Sequence, residues 1–193
     1  KFAAIVPSEI ERINKIAESL LKFGRPVKPE LTQVNLNSLL EEILQLLEGE
    51  ARKSGVRFTT KFAELPEITG DAGQLNQAFL NIMLNAVQAL SDAGKGGEVL
   101  VKTDVGEVVK MGPPKKTVPS IFVEITDTGP GIEPDKIKQL FDPFFTTKIK
   151  GTGMGLPITL KIVEEHKGSI KVKSQLGKGT TFLVTLPQQL EKV

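Results

Sequence analysis

The sequence has no cysteine, no tryptophan, no tyrosine and a single histidine, His166. Each absence removes a class of chemistry. Without cysteine there are no disulfides, no iron–sulfur cluster and no thiol nucleophile, a pattern that fits a cytoplasmic protein. One histidine and no cysteine exclude a zinc site of the ordinary kind, so a metal here must be hard and oxygen-ligated, as Mg²⁺ is. Aromatic residues make up 5% of the chain, too few for base-stacking platforms. The net charge of +2 argues for neither a nucleic-acid groove nor a polybasic membrane patch. No run of about 18 apolar residues is present, and the opening "KFAAIVPSEIERINK" lacks the architecture of a signal peptide. What remains is ordinary for a soluble fold: 39% hydrophobic and 25% charged residues over 193 positions. That length suits one full domain with a small appendage.

The first patterned segment, "SEIERINKIAESLLKFGRPVKPE", carries Ile10, Ile13, Ile16 (or Ala17), Leu20 and Leu21 at helical spacing. Ser8 is its N-cap candidate and the helix should stop by Arg25, before Pro26. Its apolar stripe has nothing local to bury against, so it either docks on the rest of the chain or pairs with a helix outside it. "NLNSLLEEILQLLEGEARKSG" predicts a second helix capped by Asn35 or by Ser38, whose Glu41 would complete a capping box, with Gly55 as its stop. "VRFTTKF", "EVLVKTDV" and "SIFVEIT" read as strands. "GEVVKMGPPKKTVP" reads as a basic, proline-containing connection, a hairpin excursion. "SIKVKSQLGKGTTFLVTLP" closes the chain as a hairpin. Helices and strands mix without strict βαβ alternation. The expected class is therefore α+β, a two-layer sandwich with helices on one face of a mixed, mostly antiparallel sheet.

A third helix, "GDAGQLNQAFLNIMLNAVQAL", is capped by Asp71. A step of about 100° per residue puts Leu75, Ala78, Phe79, Ile82, Ala86 and Leu90 on one face. A second, narrow face carries Gln74, Gln77, Asn81, Asn85 and Gln88, with no charged residue between Asp71 and Asp92. A solvated face normally uses charges, and asparagine is a poor helix former. Alone, the stripe fits a buried helix that hydrogen-bonds neighbouring backbone equally well. It also fits amide oxygens aimed at a cation and amide nitrogens aimed at phosphate, with the phosphates supplying the negative charge.

Two glycine clusters follow. "FVEITDTGPGI" is an alternating strand ending in Asp127 and a Gly-x-Gly turn at Gly129 and Gly131. Asp127 could accept a hydrogen bond from an exocyclic amine while the glycines let the backbone approach a ring. An isolated D-x-G-x-G is more often an Asx-turn or a helix cap. "KGTGMGLPITLKIVEE" opens a helix, roughly Met154–His166, with backbone N–H groups suited to phosphate. It is neither a Walker A loop, since no GK[ST] follows, nor the dinucleotide fingerprint, since no strand precedes it.

Taken in order, these segments resemble the catalytic and ATP-binding part of two-component histidine kinases, in the larger family that includes gyrase B, Hsp90 and MutL ATPases. "NIMLNAVQAL" looks like the N box, "DTGPGI" the G1 box, "FDPFFTTK" the F box and "GTGMGL" the G2 box. The resemblance covers roughly residues 31–193, and "FFTTK" is typical of the nitrogen-regulator-like branch. Upstream, "EIERINKIAESLLKFGRP" looks like the second helix of the dimerisation and phosphotransfer hairpin. Residues 1–30 are thus expected to be that helix and a linker, and residues 31–193 the catalytic domain.

The resemblance implies ATP and Mg²⁺ as ligands and a role for each matching position. Asn85 would ligate Mg²⁺; Asp127 would read adenine, partly through a water shared with Thr180. Gly129, Gly131, Gly151, Gly153 and Gly155 would shape the loops around the nucleotide, with Leu156 closing the G2 box. Lys148 would reach the terminal phosphates, with Thr146 and Thr147 nearby. Phe141, Phe144 and Phe145 would pack a lid's base against the body. In the gyrase-like branch the position four before the Mg²⁺ asparagine is a water-activating glutamate. Here it is Asn81, which cannot take a proton at neutral pH, so transfer to a histidine rather than hydrolysis is expected.

The phosphoacceptor histidine is expected N-terminal to Lys1, making this a fragment. His166, at a helix C-terminus, is expected to be structural or to serve the helix dipole. Implied partners are a response-regulator receiver domain and, in the longer protein, a second copy. No nucleic acid and no membrane contact are expected from this piece. Two other functions fit the motifs: a serine kinase of the anti-sigma-factor type, and a nucleotide-sensing module without transfer. The segment 143–152 is expected to be the most mobile part of the chain before nucleotide binds.

Overall fold

A computed structural model describes residues 29–94, 96–110, 116–148 and 151–189. The helix expected at Ser8–Arg25 lies outside these residues. Seven strands and four helices follow: β1 (Thr32–Val34), α1 (Leu36–Lys53), β2 (Val56–Lys61), β3 (Ile68–Gly70), α2 (Ala72–Asp92), β4 (Gly97–Lys110), β5 (Lys116–Asp127), α3 (Pro134–Ile137), α4 (Gly155–Glu165), β6 (Ser169–Gln175) and β7 (Gly179–Pro187). Five strands form one sheet in the order β2-β4-β5-β7-β6, and β1 pairs with β3 in a separate two-stranded sheet. Only the β2–β4 pair is parallel; β4–β5, β5–β7 and β6–β7 are antiparallel. The α+β class with a mixed, mostly antiparallel sheet is as expected from the sequence.

The strand period of two sorts the sheet into a wet and a dry face. Val99 and Val101 on β4, Ile121, Val123 and Ile125 on β5, and Phe182, Val184 and Leu186 on β7 are buried. Leu36, Leu40, Ile43 and Leu47 of α1, Leu75, Phe79, Ile82, Met83, Val87 and Leu90 of α2, and Val163 of α4 join them in one core. All six apolar α2 positions expected on one face are buried. Asp71 caps α2 by accepting from the Gln74 N–H at 3.0 Å. For α1 the structure selects Asn35, whose Oδ1 accepts from the Ser38 N–H at 3.0 Å.

The basic connection after β4 is the expected hairpin, with longer arms. Gly106, Glu107 and Val108 pair with Ser120, Pro119 and Val118, so both strands run further than the glycine and prolines suggested. The Pro119 carbonyl accepts from the Gln188 N–H. On an antiparallel strand its missing N–H points the same way, away from β4, so the β4–β5 ladder loses no bond.

His166 follows α4 and is 1% exposed. Its Nε2 accepts from the Asp71 N–H at 2.9 Å, which leaves the ring proton on Nδ1 to donate to the Ile162 carbonyl at 2.8 Å. The ring therefore joins the end of α4 to the start of α2, and both nitrogens are used by backbone. His166→Ala should lower stability by about 3 kcal/mol, from the cavity and the orphaned Asp71 N–H. The check is the denaturant midpoint at unchanged m-value; an unmoved midpoint would show that the ring holds nothing.

Candidate functional site

The expected site residues fall into two groups flanking α2. The first lies at the C-terminal end of β5. Asp127 is 5% exposed, and its Oδ1 accepts from the Gly129 N–H at 2.8 Å and the Thr180 N–H at 3.3 Å. Neither bond uses Oδ2. Burial pushes the Asp127 carboxyl above the ordinary carboxylate range, opposed in part by those two N–H groups. Thr180 is buried and its Oγ1 lies 3.0 Å from Ser174 Oγ. Ser174 gives its proton to the Gly179 carbonyl at 2.9 Å, so the Thr180 hydroxyl is the donor between them. Ser174 Oγ also accepts from the Ile132 N–H at 2.8 Å, tying the loop after β5 to the β6–β7 hairpin.

The glycines here serve the protein's own backbone. Gly131 has φ +73°, and a Cβ on it would sit 2.1 Å from the Gln175 carbonyl oxygen. Gly179 has φ +101°, and a Cβ there would lie 1.8 Å from the Asp127 carbonyl oxygen. Both let the loop and the hairpin close on each other; for Gly131 this need stands beside the approach to a ring expected from the sequence. Gly179, Ser174 and Thr159 were not singled out beforehand. "GKGTTF" offered the only signal for Gly179, and nothing local marked the other two.

The second group lies where α4 begins. Asn81 Nδ2 donates to the Gly155 carbonyl at 3.1 Å and to Thr159 Oγ1 at 3.4 Å, and Thr159 donates to the same carbonyl at 2.9 Å. Asn81 thus anchors the first turn of α4 to α2. Leu156, one residue on, packs half-buried against the core. Lys148 Nζ donates to Asn85 Oδ1 at 2.8 Å and to Gln88 Oε1 at 2.7 Å. Desolvation lowers the Lys148 pKa below the ordinary lysine value, with Asp92 pulling the other way.

Thr146 Oγ1 accepts from the Lys148 N–H at 3.1 Å, Thr147 is exposed, and the Gly151 N–H donates to the Lys148 carbonyl at 3.2 Å. The Gly153 carbonyl accepts from the Phe144 N–H at 3.1 Å. Phe144 is 49% exposed with φ +68°, so this member of the expected aromatic base makes its contact through backbone. Of the 143–152 segment, residues 149 and 150 lie outside the described residues.

α2 links the two groups. Asn81 reaches Gly155, Asn85 and Gln88 reach Lys148, and Leu90 lies beside Gly129. Asn81 to Leu90 spans roughly 14 Å of helix. A carboxylate with one free oxygen thus stands at one end of the arrangement, and a cation held by two amide oxygens at the other.

Residues 70–190 match the model of the histidine kinase-, DNA gyrase B- and HSP90-like ATPase family. The chain belongs to that family. Among its members, the sensor histidine kinase ZraS of Escherichia coli K12 is 37% identical over 195 residues, covering 100% of this chain and 38% of ZraS. The chain thus spans under half the length of that relative. Full-length ShkA in complex with AMPPNP superposes with a TM-score of 0.74 at 26% identity, covering 90% of this chain and 35% of ShkA. The histidine kinase ThkA, in complex with response regulator protein TrrA, gives 0.76 at 26% identity, covering 100% of this chain and 52% of the matched chain. Among the described residues no helix is long and apolar enough to cross a membrane.

The donor set also bears on magnesium. Among the described residues no cluster of three His, Cys, Asp or Glu could hold a metal by itself. Asn85 and Gln88 supply two neutral oxygens that already accept from an ammonium. A Mg²⁺ ion, which keeps waters and takes substrate phosphates as ligands, fits such a sparse site.

Proposed function

We propose that the chain is the ATP-binding catalytic part of a cytoplasmic sensor histidine kinase region. It transfers the γ-phosphoryl group of ATP to a histidine on a dimerisation hairpin, for relay to a response-regulator aspartate. The observation that carries the reading is Asp127: a buried carboxylate with Oδ1 fixed by two backbone N–H groups and Oδ2 left to accept. Adenine's exocyclic amine suits that oxygen, and the Thr180 hydroxyl stands beside it. Residues 31–193 then form the nucleotide domain, and residues 1–30 the end of the hairpin through which two copies pair.

At the phosphate end, Asn85 would hold Mg²⁺ and Lys148 would meet the terminal phosphates. The ion, when bound, supplies charge neutralisation on the phosphate oxygens. Asn81 keeps the start of α4 in place by its bond to Gly155, so the backbone N–H groups of that turn face the same region. Among the described residues at this end, the amides of Asn81, Asn85 and Gln88 cannot act as general bases. A neutral imidazole needs none, because its lone pair forms the P–N bond as the bond from phosphorus to the ADP oxygen breaks. Catalysis is then positioning and electrostatics. Supplied in trans with a hairpin domain carrying the histidine and labelled ATP, the chain should transfer label to that histidine. ATP binding without such transfer would sink the kinase reading, and a stable phosphoserine product would replace it with the serine-kinase one.

A further inference from the structure

We propose that Lys148 is a resident cation of the α2 amide pair, held on Asn85 Oδ1 and Gln88 Oε1 until magnesium arriving with nucleotide takes its place. This assigns Gln88 as a positioning residue and makes release of the Lys148 loop depend on metal and nucleotide together. The inference rests on the nucleotide reading above.

The geometry carries it. Two neutral carbonyl oxygens, one helical turn apart, converge on a single ammonium at 2.8 Å and 2.7 Å. Both are good acceptors for any cation, and Asp92, one turn further along α2, draws positive charge to the same place. The ammonium is tied to its loop at short range, since the Lys148 N–H bonds Thr146 Oγ1 and the Lys148 carbonyl accepts from Gly151. Where the ammonium sits therefore decides where residues 146–148 sit.

Magnesium and the ammonium cannot share Asn85. An ion about 2.1 Å from that oxygen would stand within about 5 Å of the lysine nitrogen, where like charges repel strongly in a half-buried setting. Nucleotide alone offers the lysine an anion but leaves the amide oxygens without a cation if the lysine departs. Metal alone meets only neutral oxygens. Together they satisfy both sides: the ion replaces the ammonium on Asn85, and the phosphates receive the ammonium. Gln88 lies outside the Mg²⁺ role given to Asn85 and sets how tightly the lysine is kept.

Amide hydrogen exchange on the nucleotide-free chain without divalent ions tests the first half. Gln88→Ala and Lys148→Met should each speed exchange at the Lys148 and Gly151 amides about tenfold, the size expected for losing a charge-assisted bond. Gln88→Glu should slow it. The amides of Ile82 and Met83 on α2 should keep their protection, separating a loop effect from unfolding. If Gln88→Ala does expose α2, Lys148→Met decides alone. Unchanged exchange at Lys148 and Gly151 with α2 intact would overturn the proposal.

The second half is read from the side-chain ammonium signal of Lys148 in ¹⁵N-lysine spectra. It should move on adding AMPPNP with Mg²⁺, and stay with AMPPNP and chelator or with Mg²⁺ alone. Movement without metal, or none with both, would refute the displacement. Failure of AMPPNP to bind by calorimetry would instead remove the nucleotide reading, leaving the exchange results to judge the latch itself.

Discussion

Asp127→Asn loses ATP affinity by about 10²-fold or more while the fold stays intact. The size follows from the site's logic: a carboxylate oxygen placed for an amine is replaced, in the same volume, by an amide NH₂ that faces the amine's own hydrogens. The two backbone donors do not object, because an asparagine Oδ1 can still accept from Gly129 and Thr180. Stability should hold or rise. The Asp127 carboxyl has its pKa raised in the folded chain by burial, so its protonated form is the one that favours folding. That contribution is present at acid pH and is lost as pH rises through the folded value, leaving a charge at neutral pH that asparagine removes. Nucleotide affinity of the parent should run the other way, falling on acidification from above the ordinary carboxylate range as the acceptor is protonated. Calorimetric titration with ATP and a thermal melt check both halves. Unchanged affinity would mean the base pocket lies elsewhere.

Asn85→Ala should cut Mg·ATP affinity or transfer about 10²-fold and alter metal-free nucleotide binding only several-fold. The asymmetry is the informative part. One protein oxygen is a large share of the ligands offered to an ion that otherwise holds waters and phosphates, but it is no part of what recognises the base. Titrations with magnesium and with chelator give the two numbers. An equal fall in both would show that Asn85 serves the nucleotide rather than the metal.

α2 was almost wholly legible in the sequence. Its Asp71 cap, its buried face and the row of amides follow from a period of 3.6 and from one capping hydrogen bond, both local properties. The end of β5 was legible in the same way, since alternation placed Asp127 where the strand gives out. The hairpin after β4 was legible too, but not how far its arms run, because Gly106 and Pro119 carry turn propensity while the ladder that overrides it forms between residues at a distance. The partners of the site residues were illegible for that same reason. Lys148 and Gln88 are 60 positions apart and Asn81 and Gly155 are 74 apart, and no periodicity encodes which of many polar groups will meet. The first glycine cluster stood out in the sequence, but one reason for its glycines did not. Gly131 needs its space for the hairpin at Gln175, which lies far from it in the chain.

Because one helix touches both ends of the arrangement, α2 acts as its indexing rod. A residue inserted between Asn85 and Leu90 would advance everything beyond it by about 1.5 Å and turn it by about 100°. The base end and the phosphate end would then be out of phase, however well each folded alone. The loops that bear Lys148 and Gly129 can vary in length, since each returns to a fixed contact. The span from Asn81 to Leu90 has no such freedom: a substitution there keeps the phase, and an insertion or deletion does not.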